Sequence, residues 1–258
     1  MKRAARKPVP RPELFPHLRP PVFFAHRGVS ARFPENTVPA FFAAREEGIA
    51  AVELDVRMTL DGVLVVVHDE NLLRVSGVDM PILETPFAML REAYPALPTL
   101  DDVIEAVGNE MCFDIEVKPV RLGSTRLQKK LAGRLAAHAL QGRVLLSSFD
   151  PFALRYFRRA ARHIPCATIY ANDPAMPRFL RRGQGSRISG ATVLKPDFAT
   201  FMAAGRQPGG GRRRAPVVPW TVNDAVVARA LIDRGVAGII SDDPTKLLRE
   251  LAATGPGF

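Results

Sequence analysis

Val22-Phe23-Phe24-Ala25-His26-Arg27-Gly28 is an apolar run that ends abruptly in a base, a fixed cation and a glycine. Four apolar residues suffice for a short buried strand, and the polar step after them puts His26 and Arg27 at its lip. If this strand is one stave of a parallel barrel, other apolar runs must also end in polar groups that converge on one mouth. The runs at 51–55, 111–117, 143–147, 165–170, 191–194, 216–220 and 237–241 have strand length and polar ends. Helical patterns are expected at 38–47, with Asn36 or Thr37 as cap, and at 100–107, capped by Thr99. Further helices are expected at 125–140, 151–161, after 170 through 179, at 198–204, 224–233 and 244–252. Strands alternating with helices in eight units predict an α/β fold of the TIM-like (β/α)8 barrel class. An open doubly wound sheet is the alternative. No strand runs into Gly-x-Gly-x-x-Gly, and the glycines between 183 and 190 have neither that spacing nor a preceding strand.

One excursion breaks the alternation. Asp61-Gly62 is a hairpin signal, so the run at 63–67 is expected to return antiparallel above the second strand and to end in His68-Asp69. A loop-rich insertion follows at 70–98. Residues 1–20 are basic and rich in proline, and read as a poorly ordered arm that packs nothing essential; the barrel domain is assigned to 21–254. The stretches 183–190 and 206–214 are expected to be disordered or confined to the surface.

With 258 residues, 47% of them hydrophobic and 24% charged, the composition is that of a soluble globular protein with a sizeable core. No run approaches the roughly 18 apolar residues of a membrane helix. The proline-studded N-terminal stretch argues against a secretory signal, and Cys112 and Cys166 lie in separate apolar runs, as buried free thiols of a cytoplasmic protein would. The net charge is +10, with clusters in the arm and at 206–214 that give weak attraction to an anionic membrane surface. No aromatic interleaving or nucleic-acid motif accompanies them, so nucleic acid is not an expected partner. The sequence leaves the oligomeric state open.

The strand ends carry the chemistry. Glu53 and Asp55 are two apart, so an extended chain projects both carboxylates to one face. Glu116 ends a later strand. Three carboxylates in one mouth repel unless a cation sits among them, and an all-oxygen set suits Mg2+ or Ca2+ better than Zn2+. A structural ion network, with Arg27 and Lys118 neutralising Glu53 and Asp55, is the competing reading. Arg27 and Lys118 beside a divalent cation describe a phosphate site, and His26 with His68 supplies an acid and a base for a phosphodiester. Ser147-Ser148, Lys195, Trp220 with Asn223, and Asp242-Asp243 are milder strand ends, and His17, His138 and His163 have no catalytic context.

The ordered set His26-Arg27-Gly28, Pro34-Glu35-Asn36-Thr37, Glu53-Leu54-Asp55-Val56, Asp61-Gly62, His68-Asp69, Glu116-Val117-Lys118, Ser148-Phe149, Trp220-Thr221-Val222-Asn223 and Ile240-Ser241-Asp242 resembles the glycerophosphodiester phosphodiesterase family. The resemblance runs from about Phe23 to about Pro244. It implies a barrel that hydrolyses glycerophosphodiesters, small-molecule substrates, to glycerol 3-phosphate and an alcohol through a cyclic phosphate. By position, His26 and His68 match the acid/base pair, Glu53, Asp55 and Glu116 the metal ligands, and Arg27, Lys118 and Trp220 the substrate contacts. Leu73, Ser76 and Ala237 depart from the family pattern, outside these positions. Two other functions remain open: lysophospholipase D-type hydrolysis, with Phe33, Phe149 and Trp220 along an acyl groove, and a non-catalytic barrel that binds phosphates or membrane surfaces.

Overall fold

The structure, a computed structural model, describes residues 14–118, 125–140, 142–204 and 215–253. The chain begins with β1 (Val22–His26), α1 (Val38–Glu46), β2 (Ala51–Met58), β3 (Leu64–Val66), α2 (Leu73–Ser76), α3 (Phe87–Ala93) and α4 (Leu100–Val107). It continues through β4 (Cys112–Val117), α5 (Arg126–Ala137), β5 (Val144–Ser148), α6 (Pro151–Ala160), β6 (Cys166–Tyr170) and α7 (Gly185–Ser189). After β7 (Val193–Pro196) and α8 (Phe198–Ala203) come α9 (Ala225–Asp233), β8 (Gly238–Ser241) and α10 (Pro244–Ala253).

Seven strands form a parallel path in the order β7-β6-β5-β4-β2-β1-β8. Residues 216–220 span the gap between its ends. Val218 N–H donates to Leu194 O (2.9 Å) and Trp220 N–H to Pro196 O (3.1 Å), while Ala237 N–H and Ile240 N–H donate to Val217 O (2.8 Å) and Pro219 O (3.1 Å). Pro216 and Pro219 have no N–H to give, so this stave pairs through isolated bonds and not a continuous ladder. The barrel is thereby closed, as the eight-unit alternation predicts. β3 pairs antiparallel with β2, Val56 opposite Val66 and Met58 opposite Leu64. The hairpin stands where Asp61-Gly62 predicts it.

Period-2 alternation divides the barrel interior into two levels. Phe24, Ala51, Cys112, Leu145, Val193 and Val218 form an apolar lower layer. Two residues further along the same strands come His26, Glu53, Asp114, Ser147, Lys195 and Trp220. Register aligns the levels across strands: Ala51 lies beside Cys112, Glu53 beside Asp114, and Asp55 beside Glu116.

Several expectations need correction. Leu14 and Phe15 are buried in the lower layer, with the Phe15 ring 6.0 Å from that of Phe24. The end of the arm is therefore a barrel plug, and burying one phenylalanine contributes about 2–3 kcal/mol. Residues 1–13 lie outside the described residues. The helix expected through 179 does not form, because Pro174 and Pro177 break the pattern; turns lead instead to α7. Segment 183–190 is built into the fold, with Gly185 buried and Ser189 Oγ 3.1 Å from Thr168 Oγ1. The stretch 206–214 lies outside the described residues. The insertion at 70–98 holds α2 and α3, and Leu72, Ile82, Leu90 and Leu97 pack a small core against Val65 and Val67.

Two caps divide in outcome. Thr99 and Asp102 form a reciprocal capping box, both bonds 3.0 Å, at the start of α4. Thr37 is the N-cap residue of α1, but its hydroxyl donates to Pro34 O. Cys112 and Cys166 are buried free thiols, each pushed up to about 12 by burial. Among the described residues, no helix is long and apolar enough to cross a membrane.

Candidate active site

The polar upper layer gathers at the C-terminal ends of the staves. β2 delivers Glu53 and Asp55, and β4 delivers Glu116 on the neighbouring stave; one carboxylate oxygen of each lies within 4.8 Å of the others. All three residues are buried, and Glu53 Oε2 has no hydrogen-bond partner. A buried, unpartnered carboxylate oxygen is costly without a cation, so this donor set fits a divalent metal with oxygen ligands.

Fixed cations thread the same carboxylates. Lys118 Nζ lies 2.8 Å from Asp55 Oδ1 and 2.5 Å from Glu116 Oε1. Arg27 reaches Asp55 Oδ2 through Nε (3.3 Å) and donates from Nη1 to Glu35 Oε1 (2.9 Å). Burial alone would push the Asp55 carboxyl up, but Lys118 and Arg27 outweigh it and hold it well below the usual carboxylate range. Burial likewise works against the Lys118 ammonium, yet Asp55 and Glu116 raise it above the ordinary lysine value. The ion network posed as the alternative is thus present around Asp55, whereas Glu53 stands outside it.

Glu53 belongs to a second cluster just below. Lys195 Nζ crosses the barrel to Asp114 Oδ2 (2.8 Å), Glu53 Oε1 (3.3 Å) and Ser147 Oγ (3.1 Å). Ser147 Oγ donates to Asp114 Oδ1 at 2.6 Å. Desolvation opposes the charge on Lys195, but Asp114 and Glu53 overturn it and raise the ammonium above its ordinary value. This buried cluster fixes one oxygen of Glu53 from beneath.

Each histidine leans on a carboxylate. His26 Nδ1 is 2.6 Å from Asp242 Oδ1, and His68 Nδ1 is 2.6 Å from Asp69 Oδ1. An ionised carboxylate only accepts, so Nδ1 carries the proton in both rings and Nε2 is the free basic atom. His26 Nε2 lies 3.9 Å from Glu53 Oε2. Burial raises and His26 lowers the Asp242 carboxyl, and with Asn223 and Ser30 the lowering wins. Asp69 is also held low, against burial, by Arg74 and His68.

The turn after β1 aims Arg27. Its φ of +56° is followed by +81° at Gly28, and a Cβ on Gly28 would stand 2.6 Å from Ala40 backbone carbon. Only glycine fits there. Asn36 explains the missing cap: its side chain turns inward, donating from Nδ2 to Asp55 Oδ2 (2.9 Å) and accepting from Asp55 N–H (3.3 Å).

A cavity of about 120 Å³ joins these groups, lined by His26, Arg27, Glu53, His68, Glu116, Lys118, Lys195 and Trp220. Of the eight residues singled out by sequence, only Asp55 is absent from the lining, held just behind by Lys118, Arg27 and Asn36. Trp220 donates from Nε1 to Lys195 O (3.0 Å), and its ring meets Phe149 edge-on at 5.7 Å. Asp114, two residues before Glu116 on the same face of β4, is a member of the site that the run-end pattern does not single out. Lys195, Ser147 and Asp242, mild strand ends by sequence, hold Asp114, Glu53 and His26 in place. Beside His26 an open groove of about 600 Å³ is lined by charged and polar side chains, among them Arg32, Glu35, Asn223, Asp243 and Lys246.

Cations around a buried carboxylate floor, with two basic nitrogens above, suit an anionic ester whose leaving oxygen needs a proton; that is the work of phosphoric diester hydrolases. The model of the glycerophosphoryl diester phosphodiesterase family matches residues 26–246. A glycerophosphodiester phosphodiesterase of Caldanaerobacter subterraneus subsp. tengcongensis is 30% identical over 87% of this chain and 95% of its own. One of Bacillus altitudinis is 28% identical over 88% and 96%. Among solved structures, a glycerophosphodiester phosphodiesterase of Thermotoga maritima superposes with a TM-score of 0.70 at 25% identity, covering 91% of this chain and 100% of its own. A phosphodiesterase of Oleispira antarctica, in complex with the product sn-glycerol-3-phosphate, gives 0.76 at 26%, covering 90% and 97%. The chain belongs to the glycerophosphoryl diester phosphodiesterase family and is a phosphoric diester hydrolase.

Proposed function

We propose that this chain, as one catalytic unit over residues 21–254, hydrolyses glycerophosphodiesters to glycerol 3-phosphate and an alcohol in a metal-dependent reaction. The observation that carries the proposal is the buried triad Glu53, Asp55 and Glu116, with an unpartnered Glu53 oxygen, directly beneath two buttressed histidines. Charge balance supports it. Four buried carboxylates, Glu53, Asp55, Asp114 and Glu116, face the three cations Arg27, Lys118 and Lys195. One divalent cation and one phosphodiester anion bring that set to neutrality. Glu53, Asp55 and Glu116 would hold the ion, Mg2+ or Ca2+, which when bound supplies positive charge to the phosphoryl oxygens.

The chain's own groups do the rest. Arg27 and Lys118 bind the phosphate oxygens, and Trp220 with Phe149 walls the site. One imidazole takes the proton of the glycerol 2-hydroxyl at Nε2 as that oxygen attacks phosphorus. The other, entering as the imidazolium with both nitrogens protonated, gives its Nε2 proton to the departing alcohol oxygen. A cyclic phosphate remains, and water opens it with the two proton transfers reversed. Asp242 and Asp69, each 2.6 Å from a ring Nδ1, keep each ring oriented.

The small cavity and the polar groove beside His26 suit an unacylated glycerol and a hydrophilic head group better than the acyl-bearing glycerol of a lysophospholipid. The buried free thiols suit a reducing compartment, and the cytoplasm is the proposed location. Phosphorus NMR of glycerophosphocholine and of an analogue without the 2-hydroxyl tests the route. The natural diester is expected to turn over through a cyclic phosphate and the analogue to be inert. Turnover of the analogue would refute attack by the 2-hydroxyl, and preference for lysophosphatidylcholine would reverse the assignment of substrate.

A further inference from the structure

The excess positive charge of this chain is not spread over its surface. Between Arg126 and Gly190 there are thirteen lysines and arginines against two acidic residues, Asp150 and Asp173. The excess of eleven exceeds the net charge of the whole chain, +10. The segment covers α5, α6 and α7, which pack side by side on the outside of the barrel next to β4, β5 and β6. α5 and α6 contain no acidic residue, and Asp150 spends its carboxylate capping the N-terminus of α6 through Phe152 N–H and Ala153 N–H. Besides the basic clusters in the arm and at 206–214, positive charge is thus organised on a folded face.

The end of this face at the active-site mouth is amphipathic. Phe152, in the first turn of α6, is 64% exposed, and Phe179, in the connection after β6, is 59% exposed. Both lie on connections that leave the C-terminal ends of adjacent staves, the side on which the cavity opens. The two connections touch: a Cβ on Gly185 would stand 3.5 Å from Pro151 Cβ and 3.5 Å from Leu180 Cδ2. Arg155, one turn after Phe152 on α6, and Arg178 and Arg182, on either side of Phe179 in the chain, are exposed and make no ion pair among the described residues. Exposed Arg126, Lys129 and Lys130 of α5 extend the patch.

We propose that this rim is a docking surface for an anionic lipid bilayer, which Phe152 and Phe179 enter at the headgroup level while the arginines pair with lipid phosphates. Charge complementarity selects an anionic partner. Two large apolar rings held out in water next to unpaired guanidinium groups match an interface that is apolar below and anionic above. Docking there turns the mouth toward the surface from which deacylated head groups are released. The inference stands on the patch alone and does not require the proposed reaction route.

Vesicle co-sedimentation of the full chain tests it, using phosphatidylcholine vesicles with and without phosphatidylglycerol. Wild type is expected on the anionic vesicles, with salt-sensitive partitioning, and not on the neutral ones. An exposed cation near an anionic surface contributes about fivefold to partitioning, so Arg155→Glu, Arg178→Glu and Arg182→Glu together are expected to lower it at least about a hundredfold. Phe152→Ser with Phe179→Ser is expected to lower it several-fold while the salt dependence persists. Hydrolysis of soluble glycerophosphodiester and far-UV circular dichroism are expected unchanged in both variants, which separates lost docking from lost fold. Equal binding to neutral and anionic vesicles would overturn the proposal. Wild-type partitioning of the charge-reversed variant would overturn it too, by assigning attraction to the arm and 206–214. Wild-type vesicle binding by the phenylalanine variant, together with equal affinity for single-stranded DNA, would mark a general polyanion surface instead.

Discussion

Replacing Lys195 with methionine tests how the barrel holds Glu53. Lys195 is 2% exposed, and its ammonium is shared by Asp114 Oδ2 at 2.8 Å, Glu53 Oε1 at 3.3 Å and Ser147 Oγ at 3.1 Å. Methionine keeps the volume and removes the charge, leaving two buried carboxylates without their cation. Stripping one partner from a buried ion pair costs about 3–5 kcal/mol. At roughly 2–4 °C per kcal/mol for a chain of this size, Tm is expected to fall by about 6–20 °C. Urea unfolding of Lys195→Met, Asp114→Asn and the double variant gives the coupling directly. The double variant is expected to be more stable than Lys195→Met, because one of the two stranded charges has gone. A Lys195→Met variant within about 0.5 kcal/mol of wild type, the scatter of ordinary surface substitutions, would refute the reasoning.

Asp242 makes a pH prediction. Its carboxyl is held below its ordinary value, so the stabilisation it brings is complete above the unfolded value near pH 4 and is lost as pH falls through the folded value. Asp242→Asn is expected to flatten the acid limb of a urea-melt series, and an unchanged limb would contradict the His26–Asp242 pair. At Gly28, alanine forces a Cβ to within 2.6 Å of Ala40 backbone at φ +81°. Thermal melts are expected to show a loss of more than about 1 kcal/mol, with poorer substrate binding as Arg27 is displaced. Asp114→Asn is expected to weaken divalent-ion binding in calorimetry through Glu53, while Ser148→Ala, whose hydroxyl donates to Val117 O (2.7 Å) and accepts from Asp150 N–H (3.1 Å) and reaches no carboxylate, is expected to leave it unchanged.

Much of the architecture and most of the mouth were legible because both follow from period 2 and from where apolar runs stop. Glu53 and Asp55 two apart, and His26 and His68 at run ends, needed no long-range information. Lys195 did, since its partner Glu53 is 142 residues away and nothing local marks a lysine as buried. Asp114 needed only one more period-2 step back from Glu116. Asn36 offered two local roles, helix cap or inward ligand, and the second won because it satisfies both the Asp55 side chain and its backbone N–H. Leu14 and Phe15 stayed hidden because two apolar residues among prolines carry no periodicity, yet the open floor of a barrel demands a plug. The helix expected through 179 failed where prolines outweighed the βα alternation.

The central claim is a metal-assisted, two-histidine phosphodiesterase site, and the release of glycerol 3-phosphate from glycerophosphocholine tests it most directly. Wild-type enzyme with Mg2+ or Ca2+ is expected to release glycerol 3-phosphate and choline in equal amounts, and to stop in EDTA. His26→Ala and His68→Ala are expected to lower kcat about 10²–10⁴-fold while remaining folded. Full turnover in EDTA, or wild-type rates from both alanine variants, would contradict the account.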